Sequence, residues 1–282
     1  MMDCKAALDT AGGDVEEAIR HLREKGLATA AKRSGRTAAE GIVVARHPSP
    51  GCGVLLEINC ETDFVAKTPQ FSALAELVAT AVERASSLRG VGDAECFAIG
   101  ALPVEGFTTV ADAIADRIAS IGENVVVRRA ARIEAGEGQG MVESYIHGGG
   151  KIGVLVEAKT AATGEARQQV SDLLHDLALQ VAASNPRWTR REDVPALELE
   201  RERAIFRTQA LESGKPEKVV EKIVDGKIEK FYAESCLLEQ AFVRDGDKTI
   251  GKLVEEAAGR VGTPVEIAGF VRFQLGESSV EA

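Results

Sequence analysis

Along the first forty residues the apolar positions recur at helical spacing. Val15, Ala18, Ile19 and Leu22 share one face of a helix. Asp14 followed by Glu17 has the form of a capping box, which starts a helix by satisfying its free N–H groups. Gly26 after Lys25 has the identity that usually ends one. Asp3 to Leu8 predicts a shorter helix before it, closed by Gly12 and Gly13. Two such helices bury too little surface to stand alone, so this module either docks on the rest of the chain or needs a third element upstream. Thr29 to Glu40, polar and rich in small residues with Lys32, Arg33 and Arg36, reads as a linker or a frayed helix.

Beyond residue 40 the pattern repeats itself, and a repeat changes the fold class expected. Gly53-Val54-Leu55-Leu56-Glu57 recurs as Gly153-Val154-Leu155-Val156-Glu157, and the stretches upstream end in His47 and His147 at the same offset. Each copy continues into an amphipathic helix. In the first this carries Phe71, Leu74, Leu77, Val78 and Val82; in the second, Val170, Leu173, Leu174, Leu177 and Val181. Ala113 to Ile121 then precedes a strand at Val125 to Ile133, as Ile250 to Val261 precedes one at Val265 to Leu275. Both copies therefore read strand, strand, helix, helix, strand. Pro48 to Gly53 and Gly148 to Gly150 are short enough to make each leading pair of strands an antiparallel hairpin.

The second copy holds an insertion. Leu197 to Leu211 and Val219 to Tyr232 have helical patterns, separated by Ser213-Gly214-Lys215-Pro216, a turn whose proline starts the next helix. Their apolar stripe is thin, with Leu197, Ile205 and Leu211 expected to face Val219, Ile223, Ile228 and Phe231. An antiparallel two-helix arm, suited to contact with another macromolecule, is the expectation. The fold class is then α+β: a helical module and linker over 1–40, a first core subdomain over 41–135, a second over 136–192 and 236–282, and the inserted helical hairpin (a coiled coil) over 193–235.

The length of 282 residues, or 29.9 kDa, suits this count of parts. A formal charge of −10 disfavours a broad phosphate-binding surface, so no direct contact with nucleic acid is expected. Apolar runs such as Ile42 to Ala45 fall far short of the roughly 20 residues that span a bilayer. No membrane association and a cytoplasmic location follow as expectations. Five cysteines (Cys4, Cys52, Cys60, Cys96, Cys236) without a C-x-x-C spacing suggest neither a disulfide framework nor a zinc site.

Catalytic groups are sparse. His21, His47, His147 and His175 are scattered, and His175, in an amphipathic helix, reads as structural. Cys60 and His47, on neighbouring strands of one hairpin, form a nucleophile–base pair only on paper, because no third residue orients them. Gly148-Gly149-Gly150-Lys151 lacks the spacing of a phosphate loop and leads into a strand, so it reads as a hairpin turn presenting backbone. No catalytic residue, metal, cofactor or bound nucleotide is expected in this chain, which is read as a non-enzyme.

The run from Cys60 to Lys67, Cys-Glu-Thr-Asp-Phe-Val-Ala-Lys, sets an acid beside a bulky aromatic directly after a strand, in a chain only 4% aromatic. Two readings stay open. Asp63 caps a turn and pairs with Lys67 while Phe64 folds back over the sheet, or the pair is a site. The corresponding place in the second copy, Thr160-Ala161-Ala162-Thr163-Gly164, has neither acid nor aromatic, so the scaffold does not require the motif.

Several strings carry a resemblance: Met1-Met2-Asp3-Cys4-Lys5-Ala6-Ala7-Leu8, Asn59 to Lys67, Ile121-Gly122-Glu123-Asn124 before Arg128-Arg129, Tyr145-Ile146-His147-Gly148, Val181 to Pro186, and Ser213-Gly214-Lys215-Pro216. The chain resembles bacterial elongation factor Ts over essentially its whole length. That resemblance implies a guanine-nucleotide exchange factor for elongation factor Tu, binding its GDP form. It implies that Thr62, Asp63, Phe64 and Val65 enter the partner and dislocate its Mg²⁺, with His147, Gly148, Met1 and Met2 as secondary contacts. It also implies a further helix ahead of the Met-Met-Asp-Cys string, completing a ubiquitin-associated-like module that this sequence carries in truncated form. The alternative is a scaffold that binds through its helical arm without promoting exchange.

Overall fold

The computed structural model describes residues 2–93, 95, 97–136, 140–212 and 216–277. The chain divides into two compact units, one of Met1–Glu134, Ser144–Leu155 and Phe273–Ala282, the other of Ala135–Glu143 and Val156–Arg272.

The first unit opens with α1 (Met2–Thr10) and α2 (Val15–Arg33). Asp14 caps α2, its side chain accepting from the Glu17 N–H at 2.9 Å. The Asp14 N–H goes to the Ala11 carbonyl, 3.1 Å away, taking the place of the return bond expected from Glu17. Gly26 does not end the helix. It lies buried inside α2, where an added Cβ would sit 3.8 Å from the Ala115 carbonyl oxygen and the Ala119 Cβ of α5 (Val110–Ile121). Gly26 thus faces α5 with room for a methyl group, and α2 runs on to Arg33, into the stretch read as linker. The module is docked. Arg23 reaches Asp112 at 3.0 Å, and Arg33 donates to the Ile118 carbonyl at 3.1 Å.

The core of this unit is a sheet of order β1-β2-β4-β3, from β1 (Glu40–Ser49), β2 (Cys52–Cys60), β3 (Gly90–Asp93) and β4 (Val125–Glu134). All its pairings are antiparallel, the leading hairpin as expected. Every residue of β2 is buried. Val54, Leu56, Ile58 and Cys60 pack with Phe71, Leu74 and Val78 of α4 (Pro69–Arg84) and with Ala113 and Ile118 of α5. The opposite face of β2 carries Leu55 and Glu57. A Cβ on Gly153 would meet Leu55 at 3.0 Å, and the Gly276 N–H donates to Glu57 at 3.0 Å, so segments from 144–155 and 273–277 cover that face.

The order of elements repeats only in part, since β3 stands between α4 and α5, where two successive helices are expected. A second sheet, of order β5-β6-β9, comprises β5 (Gly140–His147), β6 (Ile152–Thr160) and β9 (Val265–Gln274). Only four residues join β5 to β6, which restricts them to a hairpin. In the second unit α6 (Gly164–Ser184) and α9 (Ile250–Val261) fill the helical places of the repeat, and a two-stranded ribbon, β7 (Ala241–Phe242) with β8 (Asp245–Thr249), is added.

Between α6 and the ribbon stands the inserted hairpin, α7 (Ala196–Glu212) and α8 (Glu217–Ser235), its turn residues 213–215 lying outside the described residues. Its seam is shifted from the expected stripe. Ala210, Val220, Val224 and Ile228 are buried, flanked by Leu199, Phe206 and Ile223, while Leu197, Ile205, Leu211 and Val219 are exposed. Arg207 with Glu221 and Arg203 with Asp225 pair across the hairpin beside this seam, half-exposed and so of small energetic weight against the buried apolar contacts.

Candidate functional site

After β2 the chain turns at Glu61 and Thr62 into a four-residue helix, α3 (Asp63–Ala66). Thr62, not Asp63, is its cap: the Val65 N–H donates to the Thr62 Oγ1 at 3.4 Å. Asp63 is left free to pair with Lys67 one turn on, at 2.6 Å, as the first reading of this run expected. That bond holds the Asp63 carboxyl below the usual carboxylate range and raises the Lys67 ammonium. Phe64 does not fold back over the sheet. It is 80% exposed, because Val65 and Ala66 are the residues of α3 that pack on the core.

An exposed phenylalanine on so short a helix needs a rigid mount, and two carboxylates supply it. Glu123, just past the C-terminus of α5, accepts from the Thr62 hydroxyl at 2.6 Å and from the Thr62 N–H at 3.0 Å. Glu61 accepts from the Asn124 N–H at 2.7 Å and pairs with Arg36 at 3.4 Å. The Asn124 side chain donates to the Arg36 carbonyl at 2.8 Å. Glu61, Glu123 and Asn124 are visible in the sequence only as parts of longer strings. Their role depends on the approach of segments some sixty residues apart, which no spacing reports.

The second copy has no such element. β6 ends at Thr160 and α6 begins at Gly164 without an intervening short helix.

Asp63 and Lys67 stand on one rim of a groove of about 900 Å³ whose floor is β1 from Glu40 to Ala45. The other rim is the turn Gly148–Lys151 with Ile146. All three glycines of that turn have positive φ (62°, 68° and 96°), a conformation side chains disfavour, which confirms the hairpin-turn reading. The turn lies on β1, the Val43 N–H donating to the Gly150 carbonyl at 2.7 Å. His147, exposed beside it, shares a hydrogen bond with the Tyr145 hydroxyl at Nδ1, 2.9 Å. Of the expected site residues, then, Asp63 and Gly148 line one groove, and Thr62, Phe64, Val65 and His147 do not. Met2, 77% exposed on α1, is not among the residues lining it, and Met1 is outside the described residues.

Cys60 and His47 are not neighbours. Cys60 pairs with Glu40 at one end of the β1–β2 hairpin, whereas His47 lies at the other, beyond Arg46 opposite Val54. The Cys60 thiol is buried and donates to the Thr62 carbonyl at 3.2 Å. Burial, with Glu123 nearby, pushes it up to about 12, so no nucleophile forms there. His175 is exposed on α6 rather than packed in the core.

With this geometry in place, comparison with known proteins is decisive. A family model described as Elongation factor TS matches residues 61–277. The chain belongs to the elongation factor Ts family. It is 48% identical over 278 residues to elongation factor Ts of Syntrophotalea carbinolica, covering 98% of this chain and 88% of that protein. The corresponding protein of Clostridium botulinum is 44% identical over 281 residues, again 98% and 88%. That of Symbiobacterium thermophilum is 45% identical over 287 residues, covering 98% and 87%. The family match begins at Glu61, the residue that anchors the turn into α3. Among the described residues, no helix is long and apolar enough to cross a membrane.

Proposed function

We propose that the α3 turn and the Gly148 turn act together as two prongs that release GDP and its Mg²⁺ from elongation factor Tu. Membership of the family makes the chain a nucleotide exchange factor for elongation factor Tu in translation elongation; which residues act, and in what steps, is the proposal. The observation that carries it is Phe64, 80% exposed on an element that the duplicated scaffold does not require and that Glu123 clamps in place.

An aromatic side chain so presented loses its contact with water by entering a partner. Its burial is worth about 1.5–3 kcal/mol of binding. Asp63, held ionised by Lys67, brings a negative charge with it. Placed beside the groups that position Mg²⁺, that charge and the wedge displace the metal. Loss of a dication from the phosphates then weakens their hold on GDP. Gly148, without a side chain and next to exposed His147, lets a second stretch of this chain come close from the other rim of the groove. Thr62 and Val65 hold the first prong rather than enter the partner. Met1 and Met2 would add a separate contact. In this reading the chain works in the cytoplasm, breaks no bond, and holds no nucleotide, metal or nucleic acid of its own.

The test is stopped-flow release of fluorescent GDP from elongation factor Tu. Phe64→Ala should lower the second-order rate of release by about tenfold or more, and Asp63→Ala should lower it too, with unchanged thermal melts. Wild-type release by the double variant would discard the assignment, and binding without any acceleration would favour the scaffold reading.

A further inference from the structure

Glu57 is 0% exposed, and no step of the two-prong exchange uses it. Its counterpart in the repeat, Glu157, is only half-buried. A carboxylate withdrawn from water is costly unless its charge and lone pairs are met, and around Glu57 they are. Arg129 Nε lies 2.7 Å from Oε2, and Arg128 Nε lies 3.8 Å from Oε1. The Gly276 N–H and the Asn59 side-chain amide donate to Oε1 at 3.0 and 3.4 Å. Arg129 reaches further. Its Nη2 donates to the Gln274 carbonyl at 3.0 Å, and its guanidinium lies over the Phe273 ring, 4.3 Å from the centroid.

One buried ion pair thus grips the backbone on both sides of Leu275. The Leu275 N–H in turn donates to the Lys151 carbonyl at 2.9 Å, at the end of the three-glycine turn; the turn closes on itself through the Lys151 N–H to the His147 carbonyl at 3.1 Å and is seated on β1 by the bond from Val43 to Gly150. Three successive glycines give the turn no side chains of their own to fix it, so its seat depends on these backbone bonds. Directed bonds from charged groups define one position, whereas an apolar contact would let the segment slide.

We infer that Glu57 and Arg129 are positioning residues for exchange: a buried ionic latch that holds segment 274–276 and, through it, seats the Gly148–Lys151 turn opposite Asp63. The latch has this role only if both rims of the groove act on one partner, as in the two-prong reading. The carboxylate touches neither nucleotide nor metal.

Release of fluorescent GDP from elongation factor Tu tests it, using the full chain with Glu57→Gln or Leu275→Pro, each alone and combined with His147→Ala or Phe64→Ala. Leu275→Pro removes the N–H on Lys151 without touching a buried charge, so it stays informative where Glu57→Gln fails to fold. Each is expected to lower the maximal release rate roughly three- to tenfold. His147→Ala should then add less than about twofold to either, because the turn it belongs to is already unseated, while Phe64→Ala keeps its full effect. Hydrogen exchange at the Val43 amide should speed up in both variants, with the amides of α4 unchanged. Full release rates in both folded variants, or losses that simply multiply with that of His147→Ala, would overturn the latch. If Phe64→Ala and His147→Ala leave release unchanged in the otherwise unaltered chain, the two-prong reading has failed first, and the role of the latch in exchange falls with it.

Discussion

The thiol of Cys60 and the ring of Phe64 are four residues apart and meet opposite fates. Cys60 closes β2 with its side chain under α4, and burial raises its pKa from the ordinary 9.0 to about 12. The folded state therefore binds the proton more tightly than the unfolded chain does. That contribution to stability is whole below pH 9.0 and is lost as the pH rises toward 12. At neutral pH, alkylation followed by mass spectrometry should label exposed Cys4 readily and reach Cys52, Cys60 and Cys236 only after unfolding. Rapid labelling of Cys60 in the native protein would contradict its placement. The strings around these residues are legible, since an acid next to an aromatic after a strand is unusual. Which of the two residues carries the cap is not. Thr62 and Asp63 are both good caps, and only the fold decides between them: Thr62 accepts from the Val65 N–H while its own N–H and hydroxyl donate to Glu123.

At the scale of elements, the short helix α3 is as much a product of α5 as of its own sequence. A four-residue helix has a single turn of backbone bonds and does not persist alone. Removing the clamp should show this: Glu123→Ala is expected to cost about 1.5–3 kcal/mol of stability, the range for lost hydrogen bonds to a charged group. It should also lower the rate of GDP release several-fold and speed hydrogen exchange at the Thr62 amide. A full release rate with a loosened Thr62 would mean that the mount does not matter to exchange. Gly26 belongs to the same scale. It sits within α2 and an added methyl group would find ordinary contact distance to α5, so Gly26→Ala should raise stability by about 0.5–1 kcal/mol, read as an upward shift of the melting temperature. A glycine after a lysine is a common stop signal, which is why the local pattern predicts an end there. Periodicity along one helix does not report that packing against a neighbouring helix carries it on past such a signal. The arm departs from expectation in the same way: its helices are legible from pattern, but which apolar residues meet in its seam depends on how the two helices pack.

For the molecule as a whole, exchange is a coupling between two ligands of one partner. If the chain weakens GDP binding to elongation factor Tu by some factor, GDP must weaken binding of the chain by the same factor. Titration of the chain onto nucleotide-free and onto GDP-saturated elongation factor Tu should therefore give affinities whose ratio equals the ratio of GDP affinities without and with the chain. The same closed cycle drawn with the Phe64→Ala variant should show a smaller ratio, because an anchor used only in the open state has been removed. An unchanged ratio with weaker binding throughout would make Phe64 a docking residue with no part in opening the site.

The α+β class, the leading hairpins, the main helices and the strings of the elongation factor Ts family followed from the chain alone, whereas α3, β3 and the β7–β8 ribbon did not. The former are written in local periodicity and in self-similarity, which require no knowledge of which segments meet. The tertiary structure alone decided that Phe64 points outward, that Gly26 lies inside a helix and does not end it, and that the turn at Gly148 shares a groove with Asp63. It alone decided that Glu57, one letter of a repeated run, is a buried charge gripping the chain more than two hundred residues later. Those facts arise from contacts between distant segments, where burial and hydrogen bonding select one arrangement among many that a local pattern leaves equivalent.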